Sequence, residues 1–405
     1  MSTTSRSINR MMDKRVDILS NDIFVIILLK GERIDMTNGI KVLATGTMFG
    51  DKDIRCKKNL YFPSVIKLDN GKIIVSYVAG EAFESTDQTT ETVLSDDGGE
   101  NWEHQGPIID KEKIKMKISD SLKLTQVKGK IVAFGYAFDR SDPDHPLSNK
   151  KTGGVLNSEI YCLESKDEGK TWSSPAIIPN SFNDPVEASS PLLILSNGHW
   201  VTPIANFLNW EGKNNKGLHG RLLRSEDRGK TWNDDTVTMK FDAMDTTVWE
   251  QRICQLGSGP LVVIAWNIEL NNNKDLANHF ILSKDDGKTF SYPQSTGIMG
   301  QTSYIAHLGN DHVLALHCVR KDTDRPGIYA YIVDLSKGRW DIRGKAKVWD
   351  PSYRIRADKK AADVFAYLKF GQPSVAKLRD HEYLMTNWWI DKGHGKICWT
   401  KLEIK

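Results

Sequence analysis

Apolar residues in the 405-residue chain come in pairs of short runs, and a Gly or Asn turn joins each pair. The clearest pairs are Pro63–Tyr77 (Pro-Ser-Val-Ile-Lys-Leu-Asp-Asn-Gly-Lys-Ile-Ile-Val-Ser-Tyr) and Ser189–Pro203. Weaker copies cover Ser121–Tyr136, Arg252–Trp266, Tyr304–Leu316 and Pro373–Trp388. Runs of this length, alternating or wholly apolar and closed by a turn residue, predict β-hairpins. After the N-terminal region, the best helix candidate is Ala357–Leu368.

A second repeat follows most of the hairpins. The segments Ser95–Trp102, Ser165–Trp172, Ser225–Trp232 and Ser283–Phe290 align without gaps on Ser-x-Asp-x-Gly-x-Thr-Trp, and Asp334–Trp340 is a degenerate fifth copy. The Asp side chain can bond the backbone of a tight turn, and Gly supplies the positive φ that turn requires. The closing aromatic ring then packs between neighbouring sheets. The motif is therefore scaffold. Six hairpins, most followed by such a turn, predict an all-β chain of six four-stranded blades closed into a β-propeller.

Strand parity sorts the connections into two faces. If the inner strand of each blade runs from top to bottom, the Gly turns and the Asp turns lie at the bottom. Inner-strand starts, second-to-third-strand loops and blade connectors lie at the top. The long polar segments 80–90, 136–157, 206–220, 267–278 and 318–327 are then all top loops, which places binding there. Residues 1–45 read as an N-terminal extension with a closing strand, and residues 46–405 as the propeller.

Charge and composition narrow the functional classes. With 55 basic and 52 acidic residues the chain is nearly balanced, so no nucleic-acid partner is implied. The apolar run Ile23–Leu29 is too short to span a bilayer, and without a signal-peptide pattern the default compartment is cytoplasmic, secretion remaining open. Five scattered cysteines without a Cys-x-x-Cys pair, and histidines without metal-ligand spacing, predict no metal and no cofactor.

The Ser-x-Asp-x-Gly-x-Thr-Trp repeat resembles the Asp box of the sialidase superfamily, and the resemblance extends over roughly residues 46–405. Sialidases are exo-glycosidases with three arginines on the sialate carboxylate, an Asp acid/base, and a Tyr nucleophile paired with a Glu. Carried over by position, the resemblance implies Asp87 as the acid/base in the first top loop, with Glu84 beside it. It puts Glu250 at the start of the fourth inner strand, with Arg252 two residues on, and Arg325, with Arg320 nearby, in the fifth top loop. It also shows departures. Tyr61 and Trp266 stand where two arginines are expected, and Gln372 stands at the nucleophile position. Neither Tyr nor Trp can pair bidentately with a carboxylate.

Parity adds Asp120 and Glu187 at inner-strand starts and Trp388 among the top-face aromatics that can stack on a sugar. The leading expectation is a glycosidase-like hydrolase of a carbohydrate, anionic and sialic-acid-like sugars included, in which Glu250, Asp87 and Arg325 converge on a central funnel. The alternatives are a non-catalytic glycan-binding propeller, a protein-interaction propeller, and a lyase using His317 or Tyr61 as base.

Overall fold

The second strands of the hairpins have no exposed residue along Ile73–Gly80, Trp200–Asn206 and Leu261–Trp266. A strand apolar on both faces needs cover on both, and sheets stacked face to face supply it. The computed structural model, which describes residues 25–29, 32–37, 39–49, 58–214, 216–321, 323–351 and 369–405, meets that need with a ring of six antiparallel sheets.

Blade 1 runs Asn59–Lys67, Ile73–Gly80, Thr89–Ser95, Glu103–Pro107 from the centre outwards, and blade 2 runs Ile118–Val127, Lys130–Asp139, Ser158–Ser165, Ala176–Ile178. Blade 3 comprises Val186–Glu187 and Leu193–Ile194, then Trp200–Asn206, His219–Ser225 and Asn233–Lys240. Blade 4 is Trp249–Gln255, Leu261–Trp266, His279–Ser283, Gln294–Ser295, and blade 5 is Ser303–Gly309, His312–Val319, Gly327–Asp334, Asp341–Trp349. Blade 6 takes Phe370–Arg379, Glu382–Asp391 and His394–Ile404 from the C-terminus and its outer strand, Ile40–Thr47, from the N-terminus. Val25–Leu29 and Glu32–Thr37 extend that sheet. The helix expected at Ala357–Leu368 lies outside the described residues.

The core is divided among the blade interfaces. Ile74 and Leu122 belong to the cluster between blades 1 and 2, Phe134 and Trp200 to the next, and Val201 and Val263 to the one after. Phe280 with Val313, Leu316 with Met385, and Tyr77 with Leu384 fill the remaining three.

The four Asp boxes repeat one geometry. In the second, Asp167 Oδ1 accepts from the Ser165 hydroxyl at 2.8 Å and from the Thr171 amide at 2.9 Å, while the Ser165 hydroxyl oxygen accepts from the Gly169 amide at 2.9 Å. Gly169 sits at φ +87°, and a Cβ there would lie 2.7 Å from Ile74 Cδ1 of the preceding blade. The box thus closes its own hairpin and docks it on its neighbour. Blade 3 departs from the regular hairpin expected at Ser189–Pro203. Pro191 has no N–H to give, and the Ser189 amide is spent on Glu187 Oε1, so the inner strand breaks in two.

A carboxylate-lined funnel as candidate active site

At the top of the central channel lies a cavity of about 130 Å³. Its polar lining is Glu84, Gln88, Ser119, Asp120, Ser121, Glu187, Glu250 and Gln372. Three inner strands begin there in the same unusual way. Phe62, Glu250 and Gln372 have φ of 52°, 49° and 43°, and each falls where the pairing register with the second strand shifts. A bulge breaks the two-residue alternation and re-aims one side chain. Here it turns Phe62, Glu250 and Gln372, from blades 1, 4 and 6, into one cavity.

A hydrogen-bonded chain crosses the funnel floor. Lys123 Nζ donates to the Phe62 carbonyl at 2.7 Å and to Gln372 Oε1 at 3.0 Å, which fixes the amide so that Gln372 Nε2 donates to Glu250 Oε1 at 3.2 Å. The Glu250 amide donates to Glu187 Oε2 at 3.2 Å, and Arg252 donates to Ser189 Oγ at 3.0 Å. Glu250 Oε2 is buried and has no hydrogen-bond partner among the described residues. A buried carboxylate oxygen left in this state is costly unless something else donates to it. Burial pushes the Glu187 carboxyl up, against the pull of Ser189 and Arg252. It pulls Lys123 down to about 7, helped by Arg252 and opposed by Glu250 and Glu187.

Glu84 enters from the first top loop, at φ 63°. Its Oε2 accepts from the Ser148 hydroxyl at 3.2 Å, and burial raises its carboxyl, with Ser148, Arg140 and Lys150 acting in the opposite sense. Aromatic rings form the walls. Tyr136 packs edge-on to Phe138 at 5.3 Å, and Trp249 packs on Phe207 at 5.5 Å and Trp266 at 6.3 Å. The Tyr136 phenol is raised by burial and by the nearby charges of Glu187, Glu250 and Glu84, so it stays protonated as a donor.

Of the residues singled out from the sequence, Glu84, Asp120, Glu187, Glu250, Trp266 and Gln372 line this cavity, with Arg252 directly behind Glu187. Asp120 turns its carboxylate away, onto the Thr90 amide at 2.8 Å and Lys111 at 2.7 Å. Asp87 and Arg325 are exposed and are not brought to the cavity with Glu250. Asp87 accepts from the Glu81 amide at 3.0 Å and the Ser85 hydroxyl at 2.6 Å and pairs with Lys58 at 3.7 Å, so it ties the loop that presents Glu84. Arg325 offers its carbonyl to the Tyr329 hydroxyl at 2.8 Å. Arg320 is buried, bonded to the Phe370 carbonyl at 2.8 Å and stacked over Trp266 at 5.5 Å. Tyr61 and Trp388 are buried against each other at 5.7 Å in the interface of blades 6 and 1, and His317 is buried on Asn278 at 2.7 Å. Among the described residues no group of His, Cys, Asp and Glu is placed to hold a metal, and no helix is long and apolar enough to cross a membrane.

Sequence reasoning passed over Lys123 and Tyr136. The signal for Lys123 was present: the polar position of an inner strand in a propeller faces the channel, not solvent. Tyr136 lay within reach as the first residue of the top loop 136–157, but nothing in that loop's sequence singled it out from its neighbours.

The family model of the BNR repeat-like domain matches residues 71–298, more than half of the chain. The chain belongs to this family. Among solved structures, this BNR-repeat propeller is similar to a protein of unknown function from Dyadobacter fermentans, with a TM-score of 0.69 at 20% identity over 91% of this chain and 100% of that one. It is also similar to the Hadza microbial sialidase Hz136 (TM-score 0.60, 15% identity, 88% of this chain and 68% of that one). Trypanosoma rangeli sialidase in complex with the inhibitor DANA matches at TM-score 0.59 and 15% identity over 85% of this chain and 55% of that one. The BNR-repeat chain therefore spans about half the length of the trypanosomal enzyme. Among curated protein sequences none matches. These likenesses show the fold, a six-bladed propeller of the kind that the two sialidases have.

Proposed function

We propose that the funnel hydrolyses a glycosidic bond, with Glu84 as general acid and Glu250 as general base. Support comes first from one observation: Glu250 has one oxygen anchored by Gln372 and the other buried without a partner beside the cavity. Glu84 faces the same cavity from another blade, and burial raises its carboxyl, the direction that suits a proton donor. In the reaction Glu84 gives its proton to the leaving glycosidic oxygen as the C–O bond breaks. Glu250 takes a proton from the water whose oxygen bonds the anomeric carbon. The products are the free sugar, a hemiacetal at its anomeric carbon, and the leaving alcohol, and the two carboxyls return to their starting states through solvent.

The role that the resemblance assigns to Asp87 passes in this reading to Glu84, because Asp87 is committed to its own loop. Arg325 has no part in it. Sialidases have a Tyr at the position of Gln372, so the proposal involves no covalent intermediate there. Glu250→Gln and Glu84→Gln should each lower kcat/KM on a cleaved aryl glycoside by at least about a hundredfold, while thermal stability stays within a degree or two of the parent. Full activity in either variant would remove that residue from the mechanism. Sugar binding without turnover by the unaltered protein would leave a glycan-binding propeller as the better account.

A further inference from the structure

The cavity has an asymmetry of charge that bears on what it accepts. Its lining includes four acidic residues, Glu84, Glu187 and Glu250 with Asp120 turned away, and, among the described residues, no Lys, Arg or His. The cations stand behind the acids and are turned onto protein groups. Lys111 holds Asp120, Arg140 lies against the Glu84 carbonyl at 3.4 Å, Arg252 bonds Ser189 behind Glu187, and Lys123 reaches Glu250 through Gln372. Each acid facing the cavity thus has a cation at its back. Among the described residues the walls therefore offer an entering carboxylate neutral donors and other carboxylates, but no cation. A sugar acid needs a cationic fork to offset its desolvation, and the lining supplies none among the described residues.

The remaining surface fits an uncharged ring. Glu250 Oε2 lacks a donor, and the buried Ser119 Oγ and Trp266 Nε1 have no partner among the described residues, so the lining holds both acceptors and donors for hydroxyl groups. Phe62, Phe83, Tyr136, Phe207 and Trp249 present ring faces and edges to the same space. At about 30 Å³ for each water, a volume of about 130 Å³ holds roughly four waters, a space for no more than one sugar ring.

Resting on the hydrolase reading of this site, we propose that the funnel selects a neutral terminal pyranose and excludes sialic and uronic acids. The test has two arms on the full chain. The first compares 4-nitrophenyl glycosides of neutral hexoses and N-acetylhexosamines with the matching glucuronide, galacturonide and hexosaminide and with a sialoside. The expected result is a kcat/KM for a neutral glycoside at least a hundredfold above that of its matching uronide, with no sialoside turnover. A uronide or sialoside cleaved as well as any neutral glycoside would overturn the proposal, and so would a tenfold preference for the amine-bearing hexosaminide.

The second arm measures binding of the free sugars by calorimetry and separates the two readings. If nothing is hydrolysed but a neutral monosaccharide binds at least tenfold tighter than glucuronate or N-acetylneuraminate, the hydrolase reading fails and the selectivity stands. Trp249→Ala should then weaken the neutral sugar at least fivefold. Failure of every neutral sugar to bind, or tighter binding of the acids, would overturn the selectivity itself.

Discussion

At the scale of single residues, the funnel shows how environment divides roles between like groups. Glu84 and Asp87 are three residues apart in one loop, yet one faces the cavity with its carboxyl raised by burial and the other is an exposed loop tie. The Ser148 hydroxyl donates to Glu84 and favours its charged form. Ser148→Ala should therefore raise the Glu84 pKa further, because a hydrogen bond to the charged form is lost. As the acid must be protonated, the alkaline limb of kcat/KM should move up with it. An unmoved limb would take Glu84 out of the acid role. Lys123 gives a second pH test. Its folded-state pKa of about 7 lies below the ordinary 10.5, so the unfolded chain binds the extra proton between those values. Its contribution to stability thus rises with pH across that window and is at its least favourable below pH 7. In Lys123→Met the difference in Tm between pH 7 and pH 10 should shrink relative to the parent, and an unchanged difference would show that Lys123 titrates normally.

At the scale of elements, the Asp boxes were legible because every part of their mechanism is local: an Asp, a Gly at positive φ and an aromatic within eight residues. The strand starts were not. Nothing in Tyr61-Phe62-Pro63, Trp249-Glu250-Gln251 or Gly371-Gln372-Pro373 marks the middle residue for the left-handed region, since a bulge is set by pairing with a distant strand. The position of Glu250 was readable from register, whereas its unpartnered oxygen depends on Gln372 and Lys123, two blades away in either direction around the channel. The boxes carry their own prediction. Hydrogen bonds from the turn hold Asp227 and Asp285 down to about 2, so the stability they add is complete above the ordinary 3.8 and is lost as pH falls through the folded values. Asp285→Ala should lower Tm by about 2–4 °C at pH 7 and by less at pH 2–3, where the parent is itself losing the contribution. A deficit that stayed constant down to pH 2 would mean the Asp acts through shape and not through charge.

At the scale of the whole molecule, the proposed site depends on closing the ring, because distant blades share it. Lys123 of blade 2, Glu250 of blade 4 and Gln372 of blade 6 form one hydrogen-bonded chain, and no single blade holds a site without the others. The ring is closed by Ile40–Thr47, the only strand of blade 6 drawn from the N-terminal part of the chain among those that complete its four, in register with His394–Ile404 through pairs such as Ile40 with Ile404. Ile40 is 1% exposed and packs into the interface of blades 5 and 6, where Ile332, Leu402 and Ile404 also lie. Truncating it removes most of a buried aliphatic side chain at the seam, and a large-to-small core change of this kind costs about 2–4 kcal/mol. Opening the seam would also bare the edge of the C-terminal strand, a template for pairing with other chains. Ile40→Ala should therefore lower the midpoint of denaturant unfolding in one cooperative step. Below that midpoint the activity per folded molecule should be unchanged, because the substitution lies outside the funnel. Deleting residues 1–47 should give soluble aggregates in place of a monodisperse protein. If the deletion variant instead stayed monodisperse and unfolded at the parent midpoint, the N-terminal strand would not be what holds blade 6, and with it Gln372, in the ring.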